Sequence, residues 1–220
     1  MIGWSSLESG FTLPYFLRMD TEEMAENYDR LAAHWAGEEF SISNGMEQHR
    51  LALRVLKGRG AAIDLGCGSS GRIIALMSGE GFGSVEGLDF SEEMVRLARG
   101  KSPGVTIHHA DVREWEFARK YDFISGWDGI WHVPLGKQDA FLEKICGALA
   151  PGGVFIFTTG GVDGPGEVTT PCHGVPLYHA APGIPKTLET VARSGCLVRH
   201  LEYEQYPELH LVLVVQRTPD

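Results

Sequence analysis

The sequence predicts an α/β fold in which helices cover both faces of one mostly parallel sheet. Five short apolar runs alternate with helical patterns through the middle of the chain: 61–65, 83–89, 104–111, 121–128 and 153–159. Strands that are covered on both faces read as near-continuous apolar runs, as these do. Alternating strands and helices are typical of a doubly wound parallel sheet. We therefore expect that class of fold.

Composition and charge favour one domain over residues 1–220 and argue against a nucleic-acid substrate. The chain has 19 basic and 29 acidic residues and a net charge of −10. A protein that follows a phosphate backbone needs a field of lysine and arginine, which is missing here. The sequence contains no run of eighteen apolar residues, so no membrane span is expected. Four cysteines without a Cys-x-x-Cys pair, and no Lys or Arg among the first seventeen residues, favour a cytoplasmic protein with reduced thiols and no signal peptide.

An N-terminal arm and two helices, within residues 1–57, are expected to cover the functional site. Residues 1–19 read as a loose arm, and Asp20-x-x-Glu23 is typical of a capping box that opens a helix. Apolar side chains then recur at helical spacing along one face: Met24, Tyr28, Leu31 and Trp35. A second helix is expected at about 45–57, before an α/β core at 58–220.

The core continues with further helices and a closing pair of strands. Helices are expected at 70–79, 91–100 and 137–149. Residues 160–184 are rich in Gly, Pro, Thr and His without a period, and a stretch of this length without structure is usually functional, so we expect a substrate lid. After a helix at about 185–194, apolar runs at 196–205 and 209–217 predict two strands. Their short linker predicts antiparallel pairing.

A glycine-rich segment directly follows the first predicted strand and opens a helix. It reads Asp64-Leu65-Gly66-Cys67-Gly68-Ser69-Ser70-Gly71. Glycine permits a sharp turn and lets a ligand approach bare backbone. The start of the following helix adds free N–H groups and a partial positive charge. The pattern indicates a nucleotide-type ligand, although by itself it also fits a dinucleotide fingerprint.

Acidic residues end the second and third predicted strands. Asp89 stands where a carboxylate can accept two hydrogen bonds from ribose hydroxyls. Ser91 is a good N-cap for the next helix, and capping alone is the alternative role for Asp89. Asp111 can accept a hydrogen bond from the amino group of adenine, with a loop acid as the alternative. Three consecutive strand ends are thus expected to meet one ligand.

Four segments together resemble the class I S-adenosylmethionine-dependent methyltransferases. They are AAIDLGCGSSG at 61–71, EGLDFSEEMVRLAR at 86–99, HHADV at 108–112 and LAPGG at 149–153. The resemblance covers about residues 20–217. It implies a Rossmann-like sheet of seven strands in the order 3-2-1-4-5-7-6 with strand 7 antiparallel. It also implies S-adenosyl-L-methionine as the cofactor and a small molecule as the acceptor.

The resemblance implies a cofactor-binding role for each residue at a matching position. These residues are Tyr28, Asp64, Leu65, Gly66, Cys67, Gly68, Asp89, Phe90, Met94, Ala110, Asp111, Val112, Gly126 and Trp127. The glycine loop would line the methionine part, with Asp64 orienting the loop or meeting the amino group. Asp89 would hold the ribose, and the residues around Asp111 would read the adenine. Tyr28 would close over the cofactor, with helix packing as the alternative.

The segment Trp127-Asp128-Gly129-Ile130-Trp131-His132 follows the fourth strand, where the family places residues that face the acceptor. Asp128 and His132 are the candidate catalytic residues, since histidine has a pKa suited to a general base. The alternative for His132 is a structural hydrogen bond to backbone. Candidate contacts with the acceptor are Trp35, Trp131 and Tyr178.

Other polar residues near the C-terminal half have less specific patterns. Cys172, His173 and His179 do not follow a zinc-binding spacing, so no metal is expected. Glu204 and His210 flank the last turn and are expected on the solvated surface.

The sequence therefore predicts methyl transfer to a small molecule. A sulfonium makes its methyl group electrophilic, so the protein mainly has to align a nucleophile with it. A nicotinamide-dependent dehydrogenase shares the glycine loop and the acid after strand two. It does not explain Asp64 before the glycines or the closing antiparallel strands. A protein that binds the cofactor without transferring its methyl group is a second alternative. Methylation of a protein is a third, whereas the acidic balance argues against RNA.

Overall fold

The computed structural model describes residues 21–37 and 40–219, which form a sheet with helices on both faces. The expected arm at 1–19, and Asp20 of the expected capping box, lie outside the described residues. The elements in chain order are α1 (Thr21–Ala36), α2 (Met46–Val55), β1 (Ala61–Leu65), α3 (Arg72–Gly79), β2 (Ser84–Asp89), α4 (Glu92–Lys101), β3 (Thr106–His109), β4 (Tyr121–Gly126), α5 (Gln138–Ala148), β5 (Leu149–Gly160), β6 (Gly166–Cys172), β7 (Val175–Ala181), α6 (Ile184–Arg193), β8 (Cys196–Tyr203) and β9 (His210–Arg217).

The main sheet has seven strands in the order β3-β2-β1-β4-β5-β9-β8. The first five strands of this order pair in parallel, and β9 is antiparallel to both of its neighbours. The α/β class and the mostly parallel seven-stranded sheet are confirmed. The expected order 3-2-1-4-5-7-6 differs in detail, because two further strands precede the closing pair in the chain.

Those two strands correct the prediction of an irregular lid at 160–184. β6 and β7 pair antiparallel as a separate two-stranded sheet. β6 stays largely accessible, whereas Leu177 to Ala181 of β7 are buried. Leu177, Tyr178 and Ala180 pack in one apolar cluster with Met24 and Leu31 of α1. Helix α1 thus covers one face of β7, and neither strand of the hairpin joins the main sheet.

The core fills both faces of the sheet. All five residues of β1 are buried, as its central position requires. One large apolar cluster lies between the sheet and α5 and α6, and another lies between the sheet and α2, α3 and α4. Within residues 21–37 and 40–219, no helix combines the length and apolarity needed to cross a bilayer.

Helix α1 is joined to the first turn of α4 by the side chain of Asp29. Its Oδ1 accepts hydrogen bonds from the Ser91 hydroxyl at 2.5 Å and from the Glu93 backbone N–H at 3.1 Å. Ser91 is also the N-cap of α4 and accepts from the Met94 N–H. The first N–H groups of a helix have no partner within the helix, so Asp29 satisfies one of them from outside.

Candidate functional site

Two cavities adjoin at the carboxyl ends of β1 to β4. The first, of about 600 Å³, is lined mainly by the ends of β2 and β3; the second, of about 1370 Å³, is lined by the glycine loop and the segment after β4. They share five lining residues: Gly66, Asp89, Phe90, Gly129 and His132. These two volumes include space that is open to solvent. The predicted strand ends therefore surround two adjoining cavities, with Asp89 on the lining of both.

Most of the residues expected at the cofactor line this space. The exceptions are Asp64 and Gly126, which line neither cavity. Gly126 lies under the floor, where an added Cβ would come within 3.0 Å of Ile130 and 3.1 Å of Phe155. Glycine at this position thus serves close packing of β4 against β5.

The glycine loop is held against β2 by its own backbone. The N–H groups of Gly66 and Cys67 both donate to the carbonyl of Leu88, at 2.8 and 3.0 Å. Gly66 and Gly68 adopt φ values of +69° and +58°, a left-handed conformation that only glycine adopts without strain. No side chain caps the N-terminus of α3. Its first N–H groups are therefore available to an anionic group in the second cavity.

Asp89 connects the loop to α4 and lines both cavities. Its Oδ2 accepts from the Gly68 N–H at 2.9 Å, and its Oδ1 accepts from the Ser91 N–H at 3.0 Å. Burial raises the pKa of Asp89 to about 6. The Phe90 backbone N–H also donates to this carboxylate, and because a carboxylate offers about four lone-pair positions, one remains for a ligand hydroxyl. Asp89 can thus hold the helix start and a ribose at the same time.

Asp111 is held by its neighbour Arg113. The guanidinium donates to both carboxylate oxygens, with the shortest contact at 2.6 Å, and the Arg113 N–H donates to Oδ1 at 2.9 Å. Burial opposes ionisation, but Arg113 outweighs it and holds the pKa of Asp111 below its ordinary value. Both side chains line the first cavity. The pair therefore presents a fixed guanidinium as well as a carboxylate to that cavity.

Asp64 lies buried behind the loop beside Ser125 and His49. Neither carboxylate oxygen accepts a hydrogen bond of good geometry from the described residues. Burial raises the pKa of Asp64 to about 7, although the Ser125 hydroxyl and the charge of Arg72 lower it. The Ser125 hydroxyl lies 3.1 Å from Nε2 of His49, whose Nδ1 lies 2.6 Å from the Gly45 carbonyl. Of the two expected roles for Asp64, orientation of the loop fits this position better than contact with a ligand.

His132 and Tyr28 form a half-buried pair on the wall between the cavities. Nδ1 of His132 lies 2.6 Å from the Tyr178 carbonyl, which can only accept, so this nitrogen carries the proton. Its Nε2 therefore accepts from the Tyr28 hydroxyl at 2.6 Å and from the Trp131 indole N–H at 3.2 Å. Burial lowers the pKa of His132 to about 4. A neutral imidazole whose lone pair already has two donors orients Tyr28 rather than acting as a strong base.

Asp128 faces the second cavity and pairs with His210. Its Oδ1 lies 2.9 Å from Nε2 of His210, whose Nδ1 lies 3.2 Å from Oε2 of Glu204. The prediction that Glu204 and His210 lie on the solvated surface is wrong for His210, which is 5% exposed. Two carboxylates thus enclose one buried imidazole at the cavity wall.

Two of the expected acceptor contacts lie behind the wall instead. Trp131 is fully buried against His132, His179 and His210, and Tyr178 is buried with its hydroxyl donating to Glu167 at 2.7 Å. Neither lines the two cavities, whereas Trp35 lines the second one. Trp131 and Tyr178 therefore shape the wall from behind.

Sequence reasoning missed Arg72, the first residue of α3. It lines the second cavity, donates from Nε to the Asn44 carbonyl at 3.0 Å and lies 4.8 Å from the centre of the Phe40 ring. Burial lowers its pKa, while the carboxylates of Asp128 and Asp64 act in the opposite direction. Its place directly after the glycine loop was the available signal.

The comparisons with known proteins agree with this geometry. Residues 62–153 match a family model described as a methyltransferase domain. A dTDP-3-amino-3,6-dideoxy-alpha-D-glucopyranose N,N-dimethyltransferase of Streptomyces fradiae is 28% identical over 136 residues, 61% of this chain and 52% of that protein. A demethylmenaquinone methyltransferase of Staphylococcus aureus is 31% identical over 146 residues, 61% of this chain and 56% of that protein. The chain thus spans about half the length of these curated relatives.

A solved structure extends the similarity over most of the chain. It is a 1,6-didemethyltoxoflavin-N1-methyltransferase of Burkholderia thailandensis, with bound 1,6-didemethyltoxoflavin and S-adenosylhomocysteine. The TM-score is 0.66 at 16% identity, covering 90% of this chain and 88% of that chain. At this identity the likeness concerns the fold alone.

Proposed function

We propose, on the premise that residues 62–153 match the model of a methyltransferase domain, that this chain transfers a methyl group from S-adenosylmethionine to a small-molecule acceptor. The observation that carries the proposal is the joined pair of cavities at the ends of β1 to β4. Ligands of open α/β sheets bind at the carboxyl ends of the strands. A continuous space there, with a glycine loop on one side and Asp89 at its centre, suits an adenosyl cofactor with room beyond it.

The residues of the two cavities divide between the parts of the cofactor. Asp89, with one lone-pair position unused by the protein, holds a ribose hydroxyl. The first cavity, with Val112 and the Asp111–Arg113 pair, takes the adenine. Arg72 and the uncapped start of α3 provide positive charge for the carboxylate of the methionine part.

The acceptor occupies the wider second cavity, between Tyr28, Trp35 and Asp128. When bound, the cofactor supplies an electrophilic methyl group on a sulfonium. The chain's own contribution is alignment: Tyr28, fixed by His132, and Asp128, fixed by its neighbours, present polar atoms to the acceptor. The buried aromatic walls exclude water from the reacting atoms.

Calorimetry and label transfer test the proposal separately. S-adenosylhomocysteine is expected to bind and NAD is not, and a ligand at 100 times its Kd should stabilise the protein by about 2.7 kcal/mol. Transfer of labelled methyl from S-adenosylmethionine is then measured with dTDP-3-amino-3,6-dideoxy-alpha-D-glucopyranose, the acceptor in the name of the Streptomyces relative. Binding of NAD with no affinity for S-adenosylhomocysteine would overturn the assignment.

A further inference from the structure

The wall of the second cavity contains a buried imidazole between two carboxylates. Nε2 of His210 lies 2.9 Å from Oδ1 of Asp128, and its Nδ1 lies 3.2 Å from Oε2 of Glu204. The side chain of His210 is only 6% exposed, while that of Asp128 is 34% exposed and faces the cavity. Glu204, His210 and Asp128 thus form a chain of contacts that ends at the second cavity, where the acceptor is proposed to bind.

His210 is held in an environment that favours its charged form. Its ring centre lies 5.8 Å from that of Trp127 and 5.3 Å from that of Trp131. Burial lowers the pKa of His210, but the carboxylates of Asp128 and Glu204 outweigh burial and raise it to about 9. At neutral pH the group is therefore an imidazolium, with a carboxylate at each nitrogen.

Asp128 is fixed on one side only. Its Oδ1 faces the imidazolium and accepts from the Thr158 hydroxyl at 3.2 Å, while its backbone N–H donates to the same hydroxyl oxygen at 2.8 Å. Its backbone has a φ of +57°, a left-handed conformation that residues with a side chain rarely adopt and that is found at functional positions. Oδ2 takes part in none of these bonds. Because Asp128 lines the cavity, this oxygen is left for a ligand there.

We propose that His210 is a positioning residue that fixes Asp128 with Oδ2 toward the acceptor, and that the acceptor is an amine. The inference rests on the methyl transfer proposed above and names its substrate class. An amine that approaches this wall as an ammonium is attracted by Asp128, whereas a carboxylate or thiolate is repelled by it. The same carboxylate orients the N–H groups so that the nitrogen lone pair points at the methyl carbon.

The charge that develops during transfer favours the same class. After the ammonium has lost a proton to solvent, the nitrogen lone pair forms the new N–C bond while the S–C bond breaks, and the electron pair of that bond stays on sulfur. The nitrogen becomes positively charged. A fixed anion next to it stabilises the transition state more than the free amine. A nucleophile that starts as an anion gains nothing from Asp128.

The first test reads the triad directly by NMR, with or without S-adenosylhomocysteine. We expect the His210 ring to remain protonated through neutral pH and to titrate near pH 9. Glu204→Gln lowers that titration point, because one of the two carboxylates is removed. His200→Gln is the matched control, since His200 pairs with Glu202 at 3.0 Å on β8 outside the cavity lining. A wild-type His210 that titrates at or below pH 6.5 overturns the positioning role.

The second test measures acceptor selection with two probes matched in size and opposite in charge. Benzylamine and benzoate are titrated into the protein saturated with S-adenosylhomocysteine. We expect benzylamine to bind at least about tenfold more tightly, and Asp128→Asn to abolish that preference while His200→Gln keeps it. Equal affinity for the two probes, including no binding of either, overturns the amine assignment. Failure of S-adenosylhomocysteine itself to bind overturns the proposed methyl transfer instead, and the NMR titration still tests the triad.

Discussion

Asp89→Asn tests the Asp89 carboxylate, which holds the backbone and is proposed to hold a ligand. In the wild type, Gly68 and Ser91 each donate to a different oxygen. The amide keeps the shape of the side chain but has only one acceptor oxygen and no charge. A hydrogen bond to a charged group contributes about 1.5–3 kcal/mol. Loss of one such bond to the ribose raises the Kd for S-adenosylhomocysteine roughly 10- to 150-fold.

Calorimetry at pH 7.5 measures this effect, and Asp122→Asn is the matched control. The Asp122 carboxylate also accepts two backbone N–H groups, from Gly60 at 2.8 Å and Ala61 at 3.0 Å, but at the opposite end of β1. That variant should bind S-adenosylhomocysteine like the wild type. Because burial raises the pKa of Asp89 to about 6, wild-type affinity should also weaken as the pH falls through 6. A change in Kd below about threefold for Asp89→Asn, with normal folding, refutes the ribose assignment.

Three further substitutions test the packing around the site. Gly45→Ala should destabilise the fold by about 2–4 kcal/mol in urea unfolding, because φ is +73° and the new Cβ would lie 2.6 Å from the Trp127 ring. The control Gly81→Ala has a similar φ of +78° but open space around the new Cβ, so it should lose only about 1–2 kcal/mol. Equal losses in the two variants would contradict the clash with Trp127. Burial lowers the pKa of His49 to about 4, so the neutral ring adds to the free energy of unfolding above pH 6.5, and this stabilisation is lost as the pH falls through 4. His49→Gln should therefore reduce the slope of the unfolding free energy between pH 4 and 6.5 by up to about 1.4 kcal/mol per pH unit. An unchanged slope would argue against a neutral buried ring. Tyr28→Phe leaves Nε2 of the half-buried His132 with the Trp131 indole as its donor and should cost about 0.5–1.5 kcal/mol, and a neutral effect on unfolding would show that the Tyr28 hydrogen bond is not formed.

The strands of the main sheet were predictable because a strand that is buried on both faces reads as a near-continuous apolar run in the sequence. β1 spans the predicted residues 61–65 without a shift, and β9 begins one residue after the predicted position. β5 begins at Leu149 rather than at the predicted 153, since Leu149 pairs with Tyr121 beyond a shift in register. Such a shift depends on the neighbouring strand and has no local signal.

The hairpin β6–β7 and the role of His210 depend on contacts between distant segments. The buried part of β7 includes His179, so it does not read as an apolar run. Glu204 and His210 flank a polar turn, which is normally solvated. Asp128 meets His210 across 82 positions of the chain, because Gly160 of β5 pairs with His210 of β9. That pairing follows from the assembled sheet and not from either segment alone.

The contact of Asp29 with Ser91 has a consequence for how a ligand affects the N-terminal helix. The Ser91 hydroxyl donates to Asp29 of α1, and the Ser91 N–H donates to Asp89, the residue proposed to hold the ribose. One serine thus lies between the Asp89 carboxylate and α1. Coupling between two sites is reciprocal, so if a ligand at Asp89 strengthens the contact of α1 with α4, loss of that contact weakens binding of the ligand by the same factor.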